Sequence, residues 1–139
     1  MKVWGLDGRQ HSLRLVEQQR GNASNLHILA RDILAECFPF EKIFEEVPLI
    51  GCSPILYCDF LLLSQMLIFE VQGQQHTEYT PFFHKTKLEF FKAKARDTKK
   101  REWIKLNNFT LIELPYDNTD EWRTIIECRG KIKTSNSDS

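Results

Sequence analysis

Two apolar runs in close succession constrain the fold of this chain more than any other feature of its sequence. The runs "ILYCDFLLL" and "QMLIFEVQ" flank a short turn near Ser64 and Gln65. Apolar runs of this length, bounded by turn signals, are typical of buried strands. The short connection predicts that they pair as an antiparallel hairpin, Ile55–Leu63 with Met66–Gln72.

Helix and turn signals place the other elements around this hairpin. Asp7-Gly8 predicts a two-residue turn in an N-terminal β-hairpin over residues 1–16. Ser24 is a good helix N-cap, and Thr86 with Glu89 forms a capping box. These caps predict helices over 24–37 and 86–106, and further runs predict strands over 42–50 and 109–115 and a short helix over 118–128. On the first helix, Leu26, Leu29, Ile33 and Cys37 have helical spacing.

The order hairpin, α, β, β, β, α, β, α predicts an α/β (α+β) fold with a mixed central β-sheet flanked by helices. A chain of 139 residues is long enough for one domain and too short for two. We expect that domain to span 1–133, with its core at 24–128, a loop at 77–85 and a disordered tail at 134–139.

Composition excludes several classes of protein. No apolar run approaches the roughly 18 residues of a membrane span, so no membrane partner is expected. The four cysteines form no CxxC pair, which argues for reduced thiols in a cytoplasmic protein and against a zinc site.

Positive charge is concentrated in one segment. Residues 85–105 contain nine Lys or Arg against three acids, whereas residues 1–84 contain six against ten. This asymmetry suits a protein that holds a metal cation in one place and a polyanion beside it. A solvated helix face is the alternative interpretation.

Carboxylates interrupt the apolar strands of the predicted hairpin. Asp59 lies near the middle of one strand, and Glu70 and Gln72 share a face of the other, with His76 following in "EVQGQQH". A buried carboxylate is costly unless it is paired, hydrogen-bonded or bound to a metal. Two carboxylates on neighbouring strands predict a Mg²⁺ site, and Mg²⁺ takes remaining ligands from water or phosphate.

These residues resemble a known nuclease family. A strand with Asp, a turn, and a strand ending in Glu-x-Gln resembles the core of the PD-(D/E)xK nucleases. "GQQH" and the later pair Arg96-Asp97 resemble the branch that contains very-short-patch repair endonucleases and phage homing-type nucleases, whose pattern is Glu, Asp, a variable residue, His, Asp. The likeness covers roughly residues 20–116.

The resemblance implies a restriction-endonuclease-like core and a phage-type, Mg²⁺-dependent DNA endonuclease, with Mn²⁺ able to substitute, in the cytoplasm of a bacterial host. It implies that Asp59 is the central metal ligand and that Glu70 or Gln72 is its partner. Gln72 stands where the family often has Lys. His76 would be the general acid or base, and Asp97 would complete the site from the second long helix.

Two features depart from the family pattern. His27 stands where the initial Glu of the pattern aligns, and Glu36, Glu45 and Glu46 are nearby candidates for that position. The structural zinc of the very-short-patch enzymes has no counterpart in the cysteine spacing, so mismatch-specific repair is not predicted.

Asp97 shares a helix face with Phe90, Ala93 and Ile104 and is therefore expected to point inward. The basic residues nearby are expected either to pair with Asp97 or to contact DNA phosphates. The predicted DNA contacts are Lys94, Lys99, Lys100 and Arg101.

Three other functions remain open at this point. The first is a junction resolvase or nickase that uses the same site as a homodimer. The second is a nucleic-acid-binding module with a degenerate nuclease core, which Gln72 in place of Lys keeps open. The third is a protein-interaction domain whose basic helix is only a solubilising face.

Overall fold

The computed structural model of the chain describes residues 1–72 and 86–129, and its elements follow the predicted order. The strands are β1 (Lys2–Trp4), β2 (Gln10–Ser12), β3 (Phe44–Leu49), β4 (Leu56–Leu62), β5 (Leu67–Gln72) and β6 (Thr110–Pro115). The helices are α1 (Asn25–Cys37), α2 (Lys87–Leu106) and α3 (Trp122–Arg129). The predicted loop at 77–85 and tail at 134–139 lie outside the described residues.

Four strands form a mixed sheet in the order β3-β4-β5-β6. The first two pairings are antiparallel, and β5 pairs with β6 in parallel. The predicted central hairpin is β4 with β5, joined by a single 3₁₀ turn over Leu63–Gln65. The mixed α+β class and the mixed sheet are therefore confirmed.

The two faces of the sheet carry separate hydrophobic cores. Leu34 of α1 and Trp122 of α3 pack with Phe60 and Phe69 on one face, which we call the α1 face. Trp103 of α2 packs in the core of the opposite face, the α2 face. No helix in the described parts of the chain has the length and apolarity needed to cross a membrane.

The predicted helix starts are confirmed. The Ser24 hydroxyl accepts the His27 N–H at 3.2 Å, and the Thr86 hydroxyl accepts the Glu89 N–H at 3.1 Å. These bonds satisfy backbone donors that the first turn of a helix leaves without partners.

The apolar residues at helical spacing on α1 do not all face the core. His27, Ala30, Leu34 and Cys37 are buried, while Leu29 is exposed. The helix is rotated toward His27 because its ring stacks on Phe60, with ring centroids 4.4 Å apart. The spacing of the apolar residues on α1 does not reveal that the polar His27 faces the core.

The N-terminal hairpin is confirmed, but its predicted two-residue turn is wrong. Residues 5–9 connect the strands, and the Asp7 carboxylate accepts the Arg9 N–H at 2.9 Å within this longer loop. The Asn107 side chain at the end of α2 bonds both backbone groups of Trp4, at 2.7 and 2.9 Å. These bonds attach the hairpin to α2.

Glu46 interrupts the regular alternation of β3. Its φ is +54°, in the left-handed region that non-glycine residues rarely adopt. Phe44 packs in the core of the α2 face and Glu45 bonds His27 of α1, yet Val47 belongs again to the core of the α2 face. The left-handed residue reorients the strand, and such strain is concentrated at functional sites.

We predict that Glu46→Gly is more stable than Glu46→Ala by about 1 kcal/mol, because glycine adopts a positive φ without steric cost. Both variants remove the carboxylate, so their difference isolates the backbone. Chemical denaturation of the two proteins measures it. A more stable alanine variant, as expected in an ordinary strand, would contradict the left-handed conformation.

Candidate active site

The carboxylates of Asp59 and Glu70 replace backbone hydrogen bonds where β4 and β5 separate. The backbone pairing of these strands ends at Phe60 and Phe69, so Asp59 and Glu70 are the next opposed residues. The Asp59 N–H donates to Glu70 Oε2 at 2.7 Å, and the Val71 N–H donates to Asp59 Oδ2 at 2.9 Å. The two predicted metal ligands therefore lie side by side between the strands.

The strand register extends these two carboxylates into a row across all four strands. Glu46 lies between the Glu45 and Val47 pairings and therefore opposite Asp59. Glu113 of β6 pairs with Glu70. We call Glu46, Asp59, Glu70 and Glu113 the acidic row.

Three basic side chains contact the acidic row. Lys100 Nζ of α2 lies 2.8 Å from Glu70 Oε1. Arg101 of α2 forms an ion pair with Glu113 and another with Asp97, at 3.0 Å. Arg20, in the segment between β2 and α1, lies 3.8 Å from Asp59 Oδ1 and 3.5 Å from Glu46 Oε1.

Negative charge exceeds positive charge in this cluster. Within the described residues, these ion pairs set the four carboxylates of the row and Asp97 against three cations. A site with surplus negative charge, partly shielded from water, attracts a further cation.

The protonation of Glu70 reflects this environment. Burial, followed by the charge of Asp59, raises the pKa of Glu70 to about 7, although Lys100 and the Asp59 N–H oppose the rise. Burial acts to lower the pKa of Lys100, but Glu70 outweighs it and the net shift is upward. Lys100 therefore stays charged while Glu70 titrates near neutral pH.

The carboxylates of Asp59 and Glu70 fit a cation site with two protein ligands better than a site in which protein side chains supply every ligand. Among residues 1–72 and 86–129, no group of three or more His, Cys, Asp or Glu side chains is placed to hold a metal ion. Magnesium, however, needs only one or two protein carboxylates when substrate phosphate and water complete its octahedron. Cys58 is buried beside Asp59, and burial raises the pKa of its thiol, which favours the uncharged form.

Gln72 and Asp97 lie close to Glu70. Both line a small cleft with Glu70, Lys100 and Arg101. Asp97 is half-buried, and Arg101 Nε donates to it at 3.0 Å, one helical turn along α2. The structure thus brings Glu70, Gln72 and Asp97 into one cleft, and Asp59 adjoins it through its bond with Glu70. His76, the fifth predicted catalytic residue, lies outside the described residues.

His27 lies on the other side of the sheet. It is 2% exposed and bonds Glu45 Oε1 at 3.0 Å, while Arg31 makes two bonds to the same carboxylate, at 2.7 and 3.0 Å. Burial acts to raise the pKa of Glu45, but the bonds from Arg31, the Arg20 N–H and His27 outweigh it and lower this pKa to about 2. We call His27, Arg31 and Glu45 the buried cluster.

Sequence reasoning did not identify Arg20, Arg31 or Glu113 as parts of this region. The i, i+4 spacing of His27 and Arg31, opposite a strand with Glu45-Glu46, was the available signal for the buried cluster. Lys100 was predicted to contact DNA, whereas the structure pairs it with Glu70.

The other predicted DNA contacts also have intramolecular partners. Lys99 Nζ donates to the Ser53 carbonyl at 3.1 Å. Lys94 Nζ lies 5.6 Å from the centre of the Phe90 ring. Arg101 is shared between Asp97 and Glu113. The side chains of Lys94, Lys99 and Arg101 all retain solvent exposure, so none of these cations is fully buried.

Comparisons with known proteins give little further information. No model of a known protein family matches the chain, and no solved structure matches it. The uncharacterized protein 307L of Invertebrate iridescent virus 6 is 45% identical over 51 residues, or 37% of this chain. The match spans 26% of that viral protein, so the chain corresponds to about a quarter of its length.

We predict that Glu70→Gln changes the pH dependence of stability. Folded Glu70 binds its proton up to about pH 7 and unfolded Glu70 up to about pH 4.5, so the wild type loses stability as pH rises between these values. The glutamine variant does not undergo this loss. Its stability relative to wild type should improve by on the order of 3 kcal/mol from pH 4.5 to pH 8.

Urea denaturation across this pH range measures the effect. Lys100→Gln is the matched control, because removing the opposing cation should move the pH-dependent loss without abolishing it. If the difference in the free energy of unfolding between the wild type and Glu70→Gln is constant with pH, the pKa of Glu70 is not raised.

Proposed function

We propose that this chain is a metal-dependent DNA endonuclease that hydrolyses phosphodiester bonds at the Asp59–Glu70 pair. The observation that carries the proposal is the partly buried carboxylate pair where β4 and β5 separate, in which each side chain accepts a backbone N–H of the other strand. Such a pair is costly without a cation, and its geometry is fixed by main-chain bonds.

Mg²⁺ is the proposed cofactor, held by Asp59 and Glu70. When bound, it would lower the pKa of a water molecule and polarise the phosphodiester. Ionisation of Glu70 is then favoured, because a divalent cation opposes both burial and the repulsion from Asp59. Ion binding should therefore be tighter at pH 8 than at pH 5.5.

Lys100 is the proposed substitute for the lysine that Gln72 replaces in the strand. Its ammonium group lies 2.8 Å from Glu70 on a rigid helix, mostly shielded from water. In that position it can orient a water molecule or stabilise negative charge that develops on a phosphate. This assignment moves Lys100 from the DNA-binding surface into the site.

The proposed DNA-binding surface is the exposed N-terminal half of α2. Lys87, Lys92 and Arg96 are exposed, and Phe91 is 62% exposed between them. Trp103 and Ile104 are the buried residues of this helix, and both lie in its C-terminal third. One end of α2 is therefore anchored beside the acidic row while its other end presents cations to a polyanion.

A nucleic-acid-binding module with a degenerate core is the second candidate. Its support is the bond from Lys100 to Glu70, which already provides that carboxylate with a cation. Such a module would bind DNA through α2 without cutting it.

We predict that Asp59→Asn abolishes Mg²⁺-dependent cleavage of supercoiled DNA and retains DNA affinity. Asparagine can still accept the Val71 N–H but removes the charge that binds the ion. The variant should also lose the rise in Tm that Mg²⁺ gives the wild type at pH 8.

Asp32→Asn, on the exposed side of α1, is the isosteric control and should behave as wild type. Assays with supercoiled, branched and single-stranded DNA, each with Mg²⁺, Mn²⁺ or EDTA, also distinguish a resolvase from a general nuclease. Cleavage that survives in pure Asp59→Asn protein would refute the assigned site. A wild type that binds DNA but cuts none of these substrates would favour the degenerate module.

We predict that the two parts of α2 respond differently to loss of charge. Lys92→Gln with Arg96→Gln should weaken duplex binding and flatten its salt dependence by roughly two units, since each neutralised phosphate contributes about 0.9 to the slope. Lys100→Gln should instead keep DNA affinity and lose turnover.

Binding is measured by fluorescence anisotropy between 50 and 200 mM salt, a range over which phosphate contacts change affinity strongly. Lys2→Gln with Arg14→Gln, in and beside the N-terminal hairpin, is the charge-matched control. Equal salt slopes for the control and the α2 variant would contradict the assigned DNA surface.

A further inference from the structure

The buried cluster on the α1 face holds the backbone of one residue, Arg20. The Arg20 N–H donates to Glu45 Oε1 at 2.9 Å, and its carbonyl accepts Arg31 Nη2 at 3.5 Å. Glu45 is 5% exposed and His27 2% exposed, and no described residue bonds His27 Nδ1. The polar segment that precedes α1 is thus fixed at a single point by side chains from α1 and β3.

Stability alone is a weak explanation for this cluster. Burying an ion pair costs desolvation that often cancels its Coulombic gain, and apolar side chains of similar size stabilise as well or better. The cluster does, however, determine where the Arg20 side chain emerges. Glu45 and its neighbour Glu46 on β3 bind the backbone and the side chain of Arg20 respectively.

The guanidinium of Arg20 has N–H donors that no described residue accepts. It lies 3.5 Å from Glu46 and 3.8 Å from Asp59, which are ion-pair distances, and it makes no side-chain hydrogen bond within the described residues. Glu46 Oε1 is likewise buried without a hydrogen bond among them. The side chain is 42% exposed, so its planar fork of N–H groups is open to a ligand.

We propose that Arg20 binds the phosphodiester that is cut, donating two N–H bonds to its non-bridging oxygens beside Asp59, and that the buried cluster positions it. The proposal rests on the proposed function of the Asp59–Glu70 pair. A guanidinium matches a phosphate bidentately, which a lysine cannot do. The fork is already exposed, so Arg20 can bind the phosphate whether or not a metal ion is held at Asp59.

A simple counter-ion for Asp59 and Glu46 is the competing role, and Arg20→Gln separates the two. Either role predicts that Mg²⁺ affinity, measured by calorimetry, does not fall, because a competing cation is removed. Only a phosphate ligand predicts that kcat/KM falls on the order of 100-fold, as expected for loss of a transition-state donor. Arg20→Lys should restore only a minor part, since it keeps the charge without the fork.

Arg31→Lys tests the positioning role. Lysine keeps the pair with Glu45 but loses the bidentate bond and the contact with the Arg20 carbonyl. Its loss of kcat/KM should be smaller than that of Arg20→Gln, and the double variant should be no worse than Arg20→Gln alone. Arg123→Gln, which breaks an exposed ion pair with Glu36 on α1, is the control and should cut DNA as wild type does.

DNA binding in EDTA keeps this proposal separate from the proposed function. Without metal or cleavage, Arg20→Gln should weaken binding of a short duplex and flatten its salt slope by about one unit. Equal binding by wild type and Arg20→Gln would overturn the role of Arg20 even if the wild type cuts DNA. A weaker Arg20→Gln would support it even if the wild type cuts nothing. Additive losses in the double variant would overturn the positioning role.

Discussion

The two bonds from the Asp59 N–H to the Glu70 carboxylate and from the Val71 N–H to the Asp59 carboxylate are the constraint on which the rest of this site depends. Each carboxylate accepts a main-chain N–H from the opposite strand, so β4 and β5 separate without leaving these donors unpaired. The separation brings two acids together in a partly buried place. Lys100 and Arg20 lie around that point and are explained by its negative charge, and the left-handed Glu46 lies opposite Asp59.

Helix α2 connects the proposed chemistry with the proposed DNA surface. Its C-terminal third is held by Trp103, whose indole N–H donates to the Ile50 carbonyl at 2.9 Å, and it carries Lys100 to Glu70. The exposed basic half belongs to the same rigid helix, and each residue lies about 1.5 Å further from the site along the helix axis. A duplex bound along that half would therefore be placed at a fixed distance from the carboxylate pair.

Local sequence patterns were sufficient for the elements but not for the contacts between distant residues. Apolar runs gave β4 and β5, and Ser24 and Thr86 marked the helix starts, because these signals act within a few residues. The buried cluster joins Arg20 and Arg31 to Glu45, 25 and 14 residues away. The i, i+4 spacing of His27 and Arg31 indicates that they share a face of α1, but it does not indicate that Glu45 and the Arg20 backbone are their partners. Asp59 and Glu70 were predicted because carboxylates are conspicuous within apolar strands.

The proposed site requires that Glu70 belongs to a cation-binding carboxylate pair. A carbon-13 NMR titration of the glutamate side-chain carboxyls, assigned with Glu70→Gln, tests it directly. We expect Glu70 to titrate near pH 7 without metal and to titrate at markedly lower pH when Mg²⁺ is present. A Glu70 that titrates near pH 4.5 and does not respond to Mg²⁺ would show that these two carboxylates do not form a cation site.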